Sequence, residues 1–225
     1  SNSNPEIRAP HGFGKVKGTG KLNVPLLLES YQSMLIKENA FVSGTIDYDH
    51  LDIEDLSFQG HNFDNIVFCE GFGMAKNPFF NYLPLRHAKG EVLIIKCEAL
   101  NLNVLLKAGV FILPLGADMY KVGATYDNYD TTNTTTDKAR VRLIEKLDLM
   151  INCNYEICDQ LAGIRPTVVD RRPLVGKHPK YNNLFVLNGL GTRGVMNAPF
   201  SADNLTRSIL HGEDIDKELD ISRFS

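Results

Sequence analysis

Apolar and polar positions alternate in short runs over most of this chain and fall into helical spacing in three places. Between Lys21 and Glu38, Val24, Leu27, Leu28, Tyr31 and Leu35 share one face, Asn23 stands where a cap is needed and Pro25 suits a first turn, which predicts a helix. A second helix is expected from about Asp137 to Ile151, with Val141, Ile144, Leu147 and Ile151 facing inward. A third carries Ala198, Ala202, Leu205 and Ile209 on one face and closes at His211-Gly212.

The remaining apolar runs read as strands. Gly12 to Gly20 predicts a glycine-punctuated strand and turn, followed by short strands at Ile46-Asp-Tyr48, Leu56-Ser-Phe58 and Ile66 to Cys69. The last of these is apolar throughout and is therefore expected to be buried. Glu91 to Ile95, Val110 to Leu113 and Met119 to Tyr126 form an antiparallel meander, with Gly116-Ala-Asp118 as the hairpin turn. Asp127 to Asp137 is a polar loop, and further strands fall at Tyr155 to Ile157, Gly163 to Pro166 and Leu184 to Leu187. This order is neither a clean βαβ alternation nor an all-β run, so the expected class is α/β of the mixed α+β kind, with a mainly antiparallel sheet.

The strand-like run Leu184 to Asn188 opens into Gly189-Leu-Gly191-Thr-Arg-Gly194 and then into the third helix. A G-x-G-x-x-G turn between strand and helix lets backbone approach a phosphate or a cofactor ring, and the helix N-terminus favours negative charge. A dinucleotide fold founded on it would need a second strand about 20 residues on, ending in an acidic residue. Only Glu213 to Ser225 follow the helix, so the loop is expected to serve a site assembled with other segments. Glu70-Gly71-Phe72-Gly73, after the apolar strand at Ile66, is a second place where backbone could meet a ligand.

Composition narrows the classes without choosing among them. The 225 residues carry a net charge of -3, which gives no electrostatic case for a nucleic-acid partner. The longest apolar stretches are far short of a membrane span, and no signal-peptide pattern opens the chain. Cys69, Cys97, Cys153 and Cys158 have neither close CxxC spacing nor zinc-pattern histidines, and read as inert thiols of a cytoplasmic protein. The six histidines show no catalytic spacing, and Asp52-Ile-Glu54-Asp55 reads as a solvated turn. Ser1-Asn2-Ser3-Asn4 has the look of an expression scar.

Three stretches in order carry a family resemblance. They are Leu83-Pro-Leu85 with Lys89-Gly90-Glu91-Val92; Phe111 to Pro114 with Val122 to Thr125; and Ala162-Gly-Ile-Arg-Pro-Thr-Val-Val-Asp170 through Pro173-Leu-Val-Gly176 to Gly189 to Met196. Together they resemble the downstream two-thirds of an FAD-dependent oxidoreductase of the D-amino-acid oxidase and glycine oxidase family. That family begins with a βαβ unit that binds the FAD pyrophosphate. Nothing before Gly12 matches it, so the chain resembles an N-terminally truncated member, expected to be purified without FAD. The resemblance implies a discontinuous flavin domain: residues 12–75 as its remnant, 76–160 as a substrate domain, and 161–225 as a flavin-facing segment with a closing helix.

It also implies roles. Arg165 would grip a substrate carboxylate through its planar fork, with Arg193, Tyr126 and Phe111 as further substrate-side candidates. Tyr82 is another aromatic candidate for the pocket wall. A tyrosine hydroxyl of the family pattern is missing at Phe111. Gly71 and Gly73 would pass near the adenosine half of FAD, while Gly189, Leu190, Gly191, Thr192, Gly194, Val195 and Met196 would lie beside the flavin ring, with the helix end at its pyrimidine edge. The implied activity is oxidation of a C–N bond in a small amine or amino acid by hydride transfer to flavin, without a protein acid or base. Two alternatives stay open: an oxidase module acting on an aminomethyl-modified tRNA nucleotide, and a catalytically silent interaction module. Loss of a covering unit predicts self-association through exposed apolar edges, as a homo-oligomer.

Overall fold

A computed structural model describes residues 4–224; Ser1-Asn2-Ser3 of the expected expression scar, and Ser225, lie outside the described residues. Helix α1 is Val24–Lys37, with the Asn23 side chain accepting from the Leu26 N–H at 3.3 Å. Its face of Leu27, Leu28 and Tyr31 is exposed, and no residue of α1 is buried. Residues 12–20 form no strand. Ile46 to Tyr48 is not a strand either, because Asp47 caps a 3-10 turn over Tyr48–His50 by accepting from the Asp49 N–H at 3.1 Å. A local side-chain bond of this kind competes with strand pairing.

Strands β1 (Ser57–Phe58) and β2 (His61–Asn62) make a small hairpin. β3 (Ile66–Phe68) is less buried than its composition predicts. Phe68 is in the core, but Val67 is 39% exposed because β3 is the edge of a three-stranded sheet. β4 (Leu85–Lys96), β5 (Leu106–Lys107), β6 (Phe111–Gly116) and β7 (Met119–Gly123) follow, and the expected meander is met only in part: β5, β6 and β7 pair in succession, whereas β4 pairs with β7 and not with the strand that follows it. Ala117 and Asp118 turn the β6–β7 hairpin with φ of 49° and 58°, the left-handed pair that matches strand twist.

Helix α2 (Asp137–Asp148) starts where the Thr136 hydroxyl accepts from the Ala139 N–H at 3.2 Å. Of the expected inward residues Leu147 and Ile151 are buried and Ile144 packs against the same core, but Val141 faces solvent at 53% exposure and Ala139 and Leu143 complete the buried face in its place. The two strands expected around Tyr155 and Gly163 are one strand, β8 (Glu156–Val168), antiparallel to β4 along its length with an irregularity at Ile94/Ile95. The second sheet gains an unforeseen strand, β9 (Leu174–Lys177), antiparallel to the central β10 (Leu184–Asn188), which pairs in parallel with β3. Helix α3 (Gly194–His211) ends on Gly212 in the left-handed region. Its buried residues are Ser201, Asn204 and Leu205, with Ala202 turned to solvent in place of the expected inward position.

One five-stranded sheet, in order β5-β6-β7-β4-β8, packs Leu93, Ile95, Ile112 and Val122 against Leu143 and Leu147 of α2. The second core gathers Phe68, Met74, Phe80, Leu174, Leu184 and Val186 around the three-stranded sheet. β8 joins the two, with Ile157 against the first core and Val168 in the second. His178 sits among Phe80, Tyr82 and Tyr181, and its Nδ1 accepts from the N–H groups of Lys180 and Tyr181 at 3.0 and 3.2 Å. Tyr82 therefore belongs to this aromatic cluster. Cys97 and Cys153, remote in sequence, meet with their Sγ atoms 3.3 Å apart.

Candidate active site

Side chains leave β4 alternately to its two faces. Lys89 and Glu91 go to the α2 side, where both are buried, Lys89 to 1% exposure. Lys89 Nζ donates to Asp130 and, at 3.3 Å, to Thr132. The Glu91 carboxylate accepts from the Thr136 N–H, the Thr136 hydroxyl and Gln160 Nε2, each at 2.8 Å. Two buried charges survive here because each is saturated with partners. The result ties the polar loop 127–136 to the sheet and fixes the start of α2.

On the opposite face β4 presents Gly90 and Val92. Arg165 of β8, opposite Ala88 in the register, lays its guanidinium flat against Gly90: a Cβ there would overlap Cζ, Nη1 and Nη2 together. Nη1 is buried with no hydrogen-bond partner. Burial pushes the Arg165 pKa below its ordinary value, and the nearby Tyr126 opposes that shift. An arginine remains charged through such shifts, so this is a cation with an unfilled donor. Next to it, the Phe111 ring covers Gly123, with Cζ 3.0 Å and Val92 Cγ1 2.5 Å from where a Cβ would stand. Phe111 thus lines this face by occupying a space that only glycine leaves. Arg193 is exposed at the N-cap of α3.

The two glycine turns border β8 just after Arg165. Gly71 and Gly73 belong to a 3-10 turn, Gly71–Lys76, and Gly71 has φ of 57°. A Cβ at Gly71 would lie 4.0 Å from Pro166 Cγ; one at Gly191 would lie 3.7 Å from Thr167 Cγ2 and 4.0 Å from the Pro166 oxygen. Both turns therefore flank Pro166, the residue after Arg165. Asn188, buried at the end of β10, links them: its Nδ2 donates to the Gly71 oxygen at 2.9 Å and its Oδ1 accepts from the Gly189 N–H at 2.7 Å. Gly189 has φ of 68°, and a Cβ there would collide with Val168 and lie 3.2 Å from Leu174 Cγ.

Leu190 leads into a 3-10 turn at Gly191–Arg193, and α3 follows from Gly194 without a side-chain cap. The first turn of α3 thus presents backbone donors and the positive end of its dipole, beside Val195 and Met196, both exposed. Thr192 is exposed within the turn. This donor set and the bare turns suit a flat, partly anionic ring, so the residues present fit a flavin. Sequence reasoning missed Asn188 and Gly90. A polar residue closing an apolar strand was the one visible signal for Asn188; the seating of Arg165 on Gly90 is tertiary and leaves none.

Both glycine turns thus border β8 at Pro166 and Thr167, directly after the strand position that carries Arg165. The family model described as FAD dependent oxidoreductase matches residues 33–208, and the chain belongs to that family. The chain is 23% identical over 233 residues to a tRNA 5-methylaminomethyl-2-thiouridine biosynthesis bifunctional protein of Legionella pneumophila (strain Lens), covering 88% of this chain and 34% of that protein. It is 26% identical over 148 residues to glycine oxidase of Bacillus subtilis (strain 168), covering 63% of this chain and 40% of that protein. The chain thus spans about a third of the length of the curated relatives it matches first. Among solved structures, glycine oxidase from Geobacillus kaustophilus superposes with a TM-score of 0.62 at 21% identity, over 73% of this chain and 45% of that one. L-proline dehydrogenase from P. horikoshii gives 0.60 at 18% identity over 71% of this chain and 46% of that one. These likenesses establish the fold. Among the described residues no helix is long and apolar enough to cross a membrane.

Proposed function

We propose that the chain supplies the substrate seat and the ring-facing loop of an FAD-dependent oxidoreductase that oxidises a C–N bond of a small amine or amino acid. The observation that carries this reading is the buried, unpartnered Nη1 of Arg165; both glycine turns border Pro166, the next residue of the same strand. Arg165 would bind the substrate carboxylate, and Phe111 and Tyr126 would bound the substrate space. Arg193, at the rim, would meet the substrate's outer end. Gly189, Leu190, Gly191, Thr192 and Gly194 to Met196 would hold FAD at the ring, with Gly71 and Gly73 towards its adenosine half.

The chemistry FAD supplies when bound is acceptance of a hydride from the carbon that carries the amine, leaving an imine that water hydrolyses. What these residues contribute is orientation and exclusion of water. No side chain is required to move a proton if the amine binds neutral. In domain terms, residues 12–75 and 161–225 would form the flavin-facing half, consistent with the pairing of β3 and β10, and 76–160 the substrate half.

The test is replacement of Arg165 in the flavin-loaded protein. Arg165→Ala should weaken binding of a carboxylate-bearing amine such as glycine by about 2 to 5 kcal/mol, and Arg165→Lys should restore only part of it because the fork is lost. Unchanged kinetics for both variants would remove the carboxylate role. A second reading, oxidation of an aminomethyl group on a modified tRNA nucleotide, is supported by the Legionella pneumophila (strain Lens) relative, whose match covers 88% of this chain against 63% for the Bacillus subtilis glycine oxidase. Turnover of a methylaminomethyl uridine in preference to glycine would decide for it.

A further inference from the structure

We propose that Gly90 is a positioning residue for Arg165: its bare Cα is the seat that fixes the guanidinium in the sheet face. This rests on the reading of Arg165 as the carboxylate anchor and assigns what holds that anchor in place. A Cβ at Gly90 would overlap all three outer atoms of the guanidinium, so the whole planar group lies on this one residue. Nη1 finds no hydrogen-bond partner there. Contact with Gly90 therefore does the fixing that hydrogen bonds do for most buried arginines.

A methyl group at position 90 would leave the strand possible. Gly90 has no left-handed φ, and the atoms it would strike are the far end of a flexible side chain. The guanidinium would swing off the sheet, and a displacement of about 1 Å is enough to cost on the order of a hundredfold at a reacting site. The opposite residue in the register, Gly163, is an internal control: a Cβ there meets nothing within 4 Å. The two glycines face each other across the same strand pair, and only one of them carries the arginine.

The experiment titrates acetate into the flavin-loaded protein by calorimetry, and separately compares glycine with methylamine as substrates. Gly90→Ala should weaken acetate by about tenfold or more and raise KM for glycine while leaving methylamine unaffected. Gly163→Ala should match the unsubstituted protein in both. Adding Gly90→Ala to Arg165→Ala should change neither acetate binding nor the unfolding midpoint. If Arg165→Ala loses acetate but Gly90→Ala keeps it, the seat is overturned and the anchor stands. If Arg165→Ala keeps acetate, the anchor itself falls and the seat with it. Should Gly90→Ala fail to fold, recovery of folding in the double variant supports the seat, and failure there too overturns it.

Discussion

Asn188 Nδ2 donates to the backbone oxygen of Gly71 at 2.9 Å, a bond between residues 117 positions apart that clips one glycine turn to the other. The same side chain accepts from the Gly189 N–H, so one amide satisfies backbone groups in both turns.

Asn188→Ala should cost about 1 to 3 kcal/mol, because it leaves a buried acceptor and a buried donor without partners. Urea unfolding gives the magnitude. Amide exchange should accelerate at Gly71 to Lys76 and Gly189 to Arg193, and remain slow in the five-stranded sheet. Uniform acceleration across the protein would refute a local clip.

His178 sets an acid limit on stability. Burial pushes its pKa below 6.5, Lys180 adds to that, and a hydrogen bond to the Phe79 backbone opposes them. A proton on Nδ1 would also break the two bonds from Lys180 and Tyr181. The unfolded chain thus binds this proton at a higher pH than the folded one. The stabilisation is complete above 6.5 and is lost as pH falls from there towards the depressed folded value, with a slope of at most about 1.4 kcal/mol per pH unit. His178→Phe should flatten the difference in unfolding free energy between pH 7 and pH 5. An identical pH profile in the variant would rule out His178 as the group responsible.

Cys97 and Cys153 should form a disulfide under diamide, each thiol giving up one proton and one electron to the reagent. Burial, followed by the neighbouring Cys97, pushes the Cys153 thiol up to about 12, so the reaction should be slow at neutral pH and accelerate towards alkaline pH. Of the four cysteines, two should stay titratable, Cys69 and Cys158, both exposed. Closing the loop between the pair should raise unfolding free energy by on the order of 4 kcal/mol in the chain-entropy model. Four reactive thiols after treatment would show that the pair does not close.

Local chemistry was legible in the sequence where it acts alone. The Asn23 cap, the Gly116-Ala-Asp118 turn and the closing Gly212 follow from side-chain and φ preferences and appear as expected. One inward position of α2 did not follow, since Val141 and Leu143 are both apolar and only the sheet beneath selects Leu143. β8 looked like two strands because Asp159 and Gly163 interrupt its pattern, yet β4 pairs with it throughout. β9 was concealed by Gly176 in a short segment after Pro173. At the site, the glycine turns and Arg165 were visible as residue types. That both turns border Pro166 depends on a sheet junction that no single segment encodes.

β4 carries Lys89 and Glu91 towards α2 and, between them, Gly90 beneath Arg165. A slip of one residue in its pairing would bring a charged side chain up into the arginine's seat and leave a glycine facing Asp130 and Thr136. Loop anchorage and ligand geometry would fail in a single step. The three consecutive residues Lys89-Gly90-Glu91 therefore act as a registration mark for the sheet: an incorrectly threaded chain is destabilised on both faces at once, and so has little chance of persisting as a folded protein with a defective site.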